Sequence, residues 1–169
     1  TSAELSMAAP LSFNAFVKAG TLLYNDLFTI YPFENQLFVV NMKGQEILDY
    51  LEMSYDGWIN TIDASSAHLL KISNEQDERN GQRCWSFVNR SYNFDSCGGL
   101  VYSVDCTRPK GKRVIVEGLA DGREFDLNAT YKVGMTSYRA SGGGGLMRDG
   151  AGIDTDKIDE RVVEYCPEI

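Results

Sequence analysis

Apolar positions recur at helical spacing from Thr21 to Ile30, where Leu23, Leu27 and Ile30 share one face and Tyr24 and Phe28 lie beside them. Pro32 ends this helix, because the residue before a proline is pushed out of the α region. Asn35 to Met42 reads Asn-Gln-Leu-Phe-Val-Val-Asn-Met, apolar on both faces, which is the pattern of a buried strand. Lys43-Gly44 closes it. Between Gln45 and Ile59 the helical period returns: Ile47, Leu51, Tyr55 and Trp58 form a stripe, while Glu46, Asp49, Glu52 and Asp56 turn to solvent.

The stretch from Ser73 to Arg83 is polar and aperiodic, which predicts an exposed loop joining two strands. Leu100 to Asp105 and Arg113 to Glu117 are strand-like and flank a segment whose Pro109 and Gly111 mark a turn, so they predict an antiparallel pair. Asp121-Gly122 is a second turn and Tyr131 to Thr136 a further strand. After the glycines at 142–145, Asp154 or Thr155 can cap a last helix in which Ile158, Val162 and Cys166 recur at fourfold spacing. No internal repeat or linker interrupts the series. The sum predicts one α+β domain over residues 1–169, a mixed sheet with packed helices.

Composition narrows the function. The 169 residues carry 16 Lys+Arg against 24 Asp+Glu, a formal charge of -8. So acidic a surface repels phosphate backbones, and no basic patch offsets it, so a nucleic-acid polymer is excluded as a partner. Apolar runs such as Leu37 to Val40 fall far short of the roughly 18 residues of a membrane span. Neither a basic n-region nor an apolar h-region follows Thr1, so a targeting segment is expected to have been removed or to lie upstream. Cys84, Cys97, Cys106 and Cys166 are widely spaced and His68 is the single histidine, which predicts no zinc site and no redox dithiol. Buried thiols, or one disulfide in an oxidising compartment, both remain open.

Candidate chemistry is that of binding. Ser141-Gly142-Gly143-Gly144-Gly145 matches neither a P-loop nor G-x-G-x-x-G, and reads either as a turn that lets a ring approach the backbone or as a ligand-facing loop. Phe33, in Tyr31-Pro32-Phe33-Glu34-Asn35 at a helix-to-strand junction, offers a flat apolar face, and Asn35 a paired donor and acceptor. Together they suit a heteroaromatic ring, with Tyr138 as a candidate second face; a core Phe and a turn-stabilising Asn is the alternative. No Gly-x-Ser-x-Gly elbow is present, a Cys/His nucleophile pair would have only His68, and Asp121, Glu124 and Asp126 beside their turn form a solvated face.

The order of these features resembles the C-terminal domain of the 5'-nucleotidase family, which includes 2',3'-cyclic-nucleotide 2'-phosphodiesterases and UDP-sugar hydrolases. The resemblance runs through Gly20, Tyr24 to Phe28, Tyr31-Pro32-Phe33-Glu34-Asn35, Met42-Lys43-Gly44-Gln45-Glu46-Ile47, Asp95-Ser96-Cys97-Gly98-Gly99-Leu100, Asp121-Gly122, Tyr131-Lys132-Val133 and Tyr138-Arg139-Ala140-Ser141-Gly142-Gly143. It implies a domain that closes over an N-terminal metallophosphatase domain and sandwiches a nucleobase between two aromatic rings. Phe33 and Tyr138 match the rings and Asn35 the contact to the base edge. Gly98 or Gly99 matches a glycine that touches the base in some members, and Gly143 and Gly144 complete the substrate-binding set. No catalytic or metal residue is implied in this chain. Two divalent metals would belong to the N-terminal domain of the same parent chain, which residues 1–169 are expected to lack, so the isolated domain is expected to hydrolyse nothing. A nucleoside or nucleotide ligand and a periplasmic or extracellular location, including the cell surface, are implied as well.

Two departures stand out. Members of the family commonly carry an Asp that accepts from ribose hydroxyls where this sequence has Gly144, and a phosphate-binding Arg where it has Pro10-Leu11-Ser12-Phe13-Asn14. A 2',3'-cyclic ester, whose hydroxyls are already blocked, would suit the first departure. The competing expectation is a noncatalytic secreted module that presents Trp58 and Trp85 to a glycan or a protein.

Overall fold

The computed structural model describes residues 1–11, 15–63, 68–73 and 86–166, together with the backbone of 77–79 and 82–84. Strand β1 (Leu5–Ala8) comes first, alternating buried and exposed positions. Helix α1 (Tyr24–Ile30) follows, its first turn closed by the Asp26 carboxylate, which accepts from the Leu23 N–H at 2.8 Å. Tyr31 is already extended ahead of Pro32, as the proline requires. Strand β2 (Leu37–Lys43) is the buried strand expected, with Val39 and Val40 both fully enclosed. Helix α2 (Gly44–Trp58) starts where Glu46 accepts from the Lys43 N–H at 2.7 Å, and buries Ile47, Tyr50, Leu51 and Trp58.

The polar stretch 73–83 departs from expectation. Strands β3 (Asp77–Arg79) and β4 (Gln82–Cys84) form a hairpin within it. An Asn-Gly pair stands between them in the sequence, the strongest short hairpin signal there is, and the polar composition masked it. Strand β5 (Ser96–Gly98) precedes the predicted antiparallel pair, β6 (Leu100–Val104) and β7 (Val114–Leu119), which turns back through Pro109 and Gly111. Strand β8 (Thr130–Thr136) leads into the single turn α3 (Ser137–Ala140).

The chain end corrects a second expectation. Asp154 does cap a turn, accepting from the Asp156 N–H, but this is a 3₁₀ turn (Thr155–Glu160) with Lys157 outside helical geometry, and Val162–Cys166 is strand β9. Val162, Val163 and Tyr165 are strand formers, and β2 has an edge to fill: β9 pairs antiparallel with it, and Tyr165 packs edge-on to Phe38 with ring centroids 4.8 Å apart. The fourfold spacing of Ile158, Val162 and Cys166 was coincidental.

The main sheet has the order β5-β1-β8-β2-β9. Only β1 and β8 run parallel among its described pairs, which makes the sheet mixed. Leu5, Met7, Val40, Met42, Val133 and Met135 from the sheet join Ile47, Tyr50 and Leu51 of α2 in one core. Each such side chain contributes roughly 1.5–3 kcal/mol when fully enclosed. Cys97 is buried in this core, where the apolar surroundings push its thiol up to about 12. Cys106 and Cys166 are free thiols, and the side chain of Cys84 lies outside the described residues.

Candidate functional site

Antiparallel pairing of β2 with β8 sets Leu37 opposite Thr136, so the segment entering β2 and the turn leaving β8 meet at one end of the sheet. Two hydrogen bonds fix that junction. The Ser137 N–H donates to the Gln36 carbonyl at 2.8 Å, and the Gln36 N–H donates to Ser137 Oγ at 3.1 Å. Asn35 and Ser137, 102 residues apart in sequence, thereby come within 3.4 Å.

A cleft of about 440 Å³ opens there, within the roughly 300–1,000 Å³ typical of small-molecule sites. Phe33, Asn35 and Tyr138 all line it, so the three residues singled out from sequence converge. Phe33 is 54% exposed and Tyr138 45%, so a face of each ring is open to a ligand. Asn35 is half-buried and oriented: its Nδ2 donates to Tyr31 Oη at 2.8 Å and its Oδ1 accepts from Ser137 Oγ. A primary amide carries two N–H donors and two acceptor lone pairs, so one of each stays available to a ligand.

Asp95 and Arg139 are the buried charged residues of the lining, 2% and 4% exposed. Arg139 grips Asp95 in a fork, Nε to Oδ2 at 2.9 Å and Nη2 to Oδ1 at 2.7 Å. Its Nη2 also donates to the Tyr92 carbonyl at 2.7 Å and its Nη1 to the Gly143 carbonyl at 2.5 Å. Tyr50 donates its hydroxyl to Asp95 Oδ2, and burial, reinforced by the Asp95 charge, pushes the Tyr50 phenol well above its ordinary value. Arg139 is the one cation among the described lining residues, and Asp95 neutralises it. Among those residues no free positive charge awaits a phosphate. Ser12, Phe13 and Asn14, in the segment expected to lack a phosphate-binding Arg, lie outside the described residues.

The glycines divide. Gly143 supports the cleft indirectly, since a Cβ there would stand 2.4 Å from the Tyr138 ring. Gly144, at φ +75°, is enclosed by Arg139 and Asn93, either of which a Cβ would approach to 2.4 Å. Gly98 faces Ser6 on the neighbouring strand, and neither it nor Gly99 is part of the lining. Met7, Ala8, Ala9, Tyr31 and Tyr92 also line the wall, with Leu11, Glu34 and Thr136, without having been singled out in advance; Tyr31 and Glu34, on either side of Phe33, stand in a string that a local pattern could have suggested.

Trp58 is not a surface anchor. It is 5% exposed and packed between Phe87 and Phe94, at 4.7 and 4.4 Å between centroids; its place in the apolar stripe of α2 accounts for that. Trp85 lies outside the described residues. His68 is exposed, and no group of three or more His, Cys, Asp or Glu able to hold a metal occurs among the described residues. No described helix is long and apolar enough to cross a membrane.

Comparison with known proteins gives concordant matches. The family described as "5'-nucleotidase, C-terminal domain" matches residues 1–149. A trifunctional nucleotide phosphoesterase of Bacillus subtilis is 31% identical over 153 residues, covering 84% of this chain and 9% of that protein. A 5'-nucleotidase of Vibrio parahaemolyticus is 46% identical over 144 residues, covering 74% of this chain and 25% of that protein. Among solved structures, a Staphylococcus aureus protein described as a 5'-nucleotidase aligns with a TM-score of 0.68 at 24% identity, over 98% of this chain and 28% of that one. The chain therefore spans a quarter or less of these two curated relatives.

Proposed function

Because the chain belongs to the 5'-nucleotidase C-terminal domain family, we propose that it is the substrate-specificity domain of a nucleotide phosphohydrolase, and that its cleft holds a nucleobase. Phe33 and Tyr138 supply the stacking faces and Asn35 the edge contact. The observation that carries this reading is the convergence of the three side chains on one cleft from opposite ends of the chain, with both rings half bare and one donor and one acceptor of the amide unspent. Stacking on an aromatic face contributes on the order of 1–3 kcal/mol per base, and it tolerates any base because every base has a π-face.

In this reading the chemistry is divided between domains. The two divalent metals and the attacking water would belong to an N-terminal domain of the same parent chain, in keeping with the family to which this chain belongs. Gripping the base fixes where the phosphate ester lies, which turns binding energy remote from the reacting bond into orientation. The -8 charge and the neutralised Arg139 leave phosphate attraction to that other domain. Gly144 supplies no carboxylate to ribose hydroxyls, which favours an ester such as a 2',3'-cyclic nucleotide. A periplasmic or extracellular location, the cell surface included, goes with this reading.

Calorimetric titration of residues 1–169 with adenosine and with a panel of sugars tests it. Phe33→Ala and Tyr138→Ala are each expected to weaken adenosine binding by about tenfold or more, as loss of one stacking face implies. Adenosine affinity unchanged in both variants, or a sugar bound in preference, would overturn it.

A further inference from the structure

The Tyr138 ring rests on backbone. Gly143 lies so close beneath it that a Cβ there would stand 2.4, 2.5 and 2.6 Å from three ring carbons, contacts no real side chain sustains. Gly143 itself has no left-handed backbone, so what it supplies is space. The turn that carries it is tied at both ends. The Gly143 N–H donates to the Tyr138 carbonyl at 2.9 Å, and the Gly143 carbonyl accepts from Arg139 Nη1. That same guanidinium holds Asp95 and the Tyr92 carbonyl on the cleft wall, and its carbon lies 5.6 Å from the centre of the Tyr138 ring. One buried side chain thus joins the seat of the ring to the wall beside it. A buried ion pair adds little net stability, because desolvation offsets its attraction, but its forked geometry is demanding. Registry is what such a pair is suited to provide.

We propose that Gly143, clamped by the Arg139–Asp95 pair, is the positioning seat of the Tyr138 ring, holding it ready before a ligand arrives. The proposal rests on the reading that Tyr138 stacks a nucleobase, and it places the ordering of this half-exposed ring in the free protein, so that it need not be done on binding. The glycine at 143 is then a positioning device of the cleft, although it offers the ligand no group of its own.

Adenosine binding to residues 1–169 is the test. Gly143→Ala forces the ring off its seat toward solvent, so affinity should fall about tenfold or more, to the level of Tyr138→Ala, while the thermal midpoint stays near that of the parent. The double variant Gly143→Ala/Tyr138→Ala should bind no more weakly than Tyr138→Ala alone, because one interaction cannot be lost twice. Arg139→Lys keeps a positive charge opposite Asp95 without the fork, so it should weaken binding when Tyr138 is present and have no effect when Tyr138 is Ala. Full affinity in Gly143→Ala and Arg139→Lys, or additive losses in the double variants, would overturn the seat while leaving the stacking reading intact. Unchanged affinity in Tyr138→Ala itself would overturn both.

Discussion

Glu4 shows how one side chain ties the sheet together. Its carboxylate accepts from the Lys132 N–H at 3.2 Å and from Arg123 Nη2 at 3.0 Å, and these bonds hold it below its ordinary value of 4.5. A carboxylate depressed in the folded state stabilises above the unfolded value and loses that contribution as the pH falls through the folded one. Thermal midpoints of the parent and Glu4→Gln should therefore differ at pH 7, and the gap should close as the pH drops below 4.5. A gap that stays constant down to pH 3 would contradict this role. At the same scale, Phe33, Asn35 and Tyr138 were legible because each stands beside punctuation, Pro32 or a glycine run, in a short recognisable string. The pairing of Asp95 with Arg139 was not, although both stand in strings that carry the family resemblance. Their pairing spans 44 residues and leaves no local pattern, since a carboxylate and a guanidinium in separate segments look like any two surface charges until the chain is folded.

The two longer helical segments make opposite contributions, and a hydrophobic pattern alone could not separate them. In α2 the apolar stripe is enclosed, and Leu51 is wholly buried against the sheet. In α1 the same kind of stripe buries nothing: Leu27, Phe28 and Ile30 all stay at least half exposed. Leu51→Ala should cost about 2–5 kcal/mol of unfolding free energy, the range for emptying a core leucine site. Leu27→Ala should stay within about 0.5 kcal/mol of the parent, as surface changes do. Urea denaturation of the two variants measures this, and comparable losses would contradict it. Periodicity identified β2, α2, the β6–β7 hairpin and β8 because each has enough residues to show its period. Strands β1 and β5 are too short for that, and β9 was hidden because a fourfold spacing fits a helix until the open edge of β2 takes the segment as a strand.

Across the whole molecule, the end of the sheet where β2 begins and β8 ends collects nearly everything unusual in the chain: the Pro-Phe-x-Asn string, the glycine run, the buried Asp95–Arg139 pair and the cleft between them. Arg139, the one cation among the described lining residues, is paired with Asp95, and the proposed reading has this end of the sheet grip the uncharged base of its ligand. An amide-resolved NMR titration of residues 1–169 with adenosine tests that claim most directly. The largest shifts should fall at residues 31–35 and 136–143, with smaller ones near Tyr92 and Asp95, and the far faces of the sheet should stay still. Saturable shifts centred elsewhere, on α1 or on the β6–β7 hairpin, or no shifts at millimolar adenosine, would contradict it.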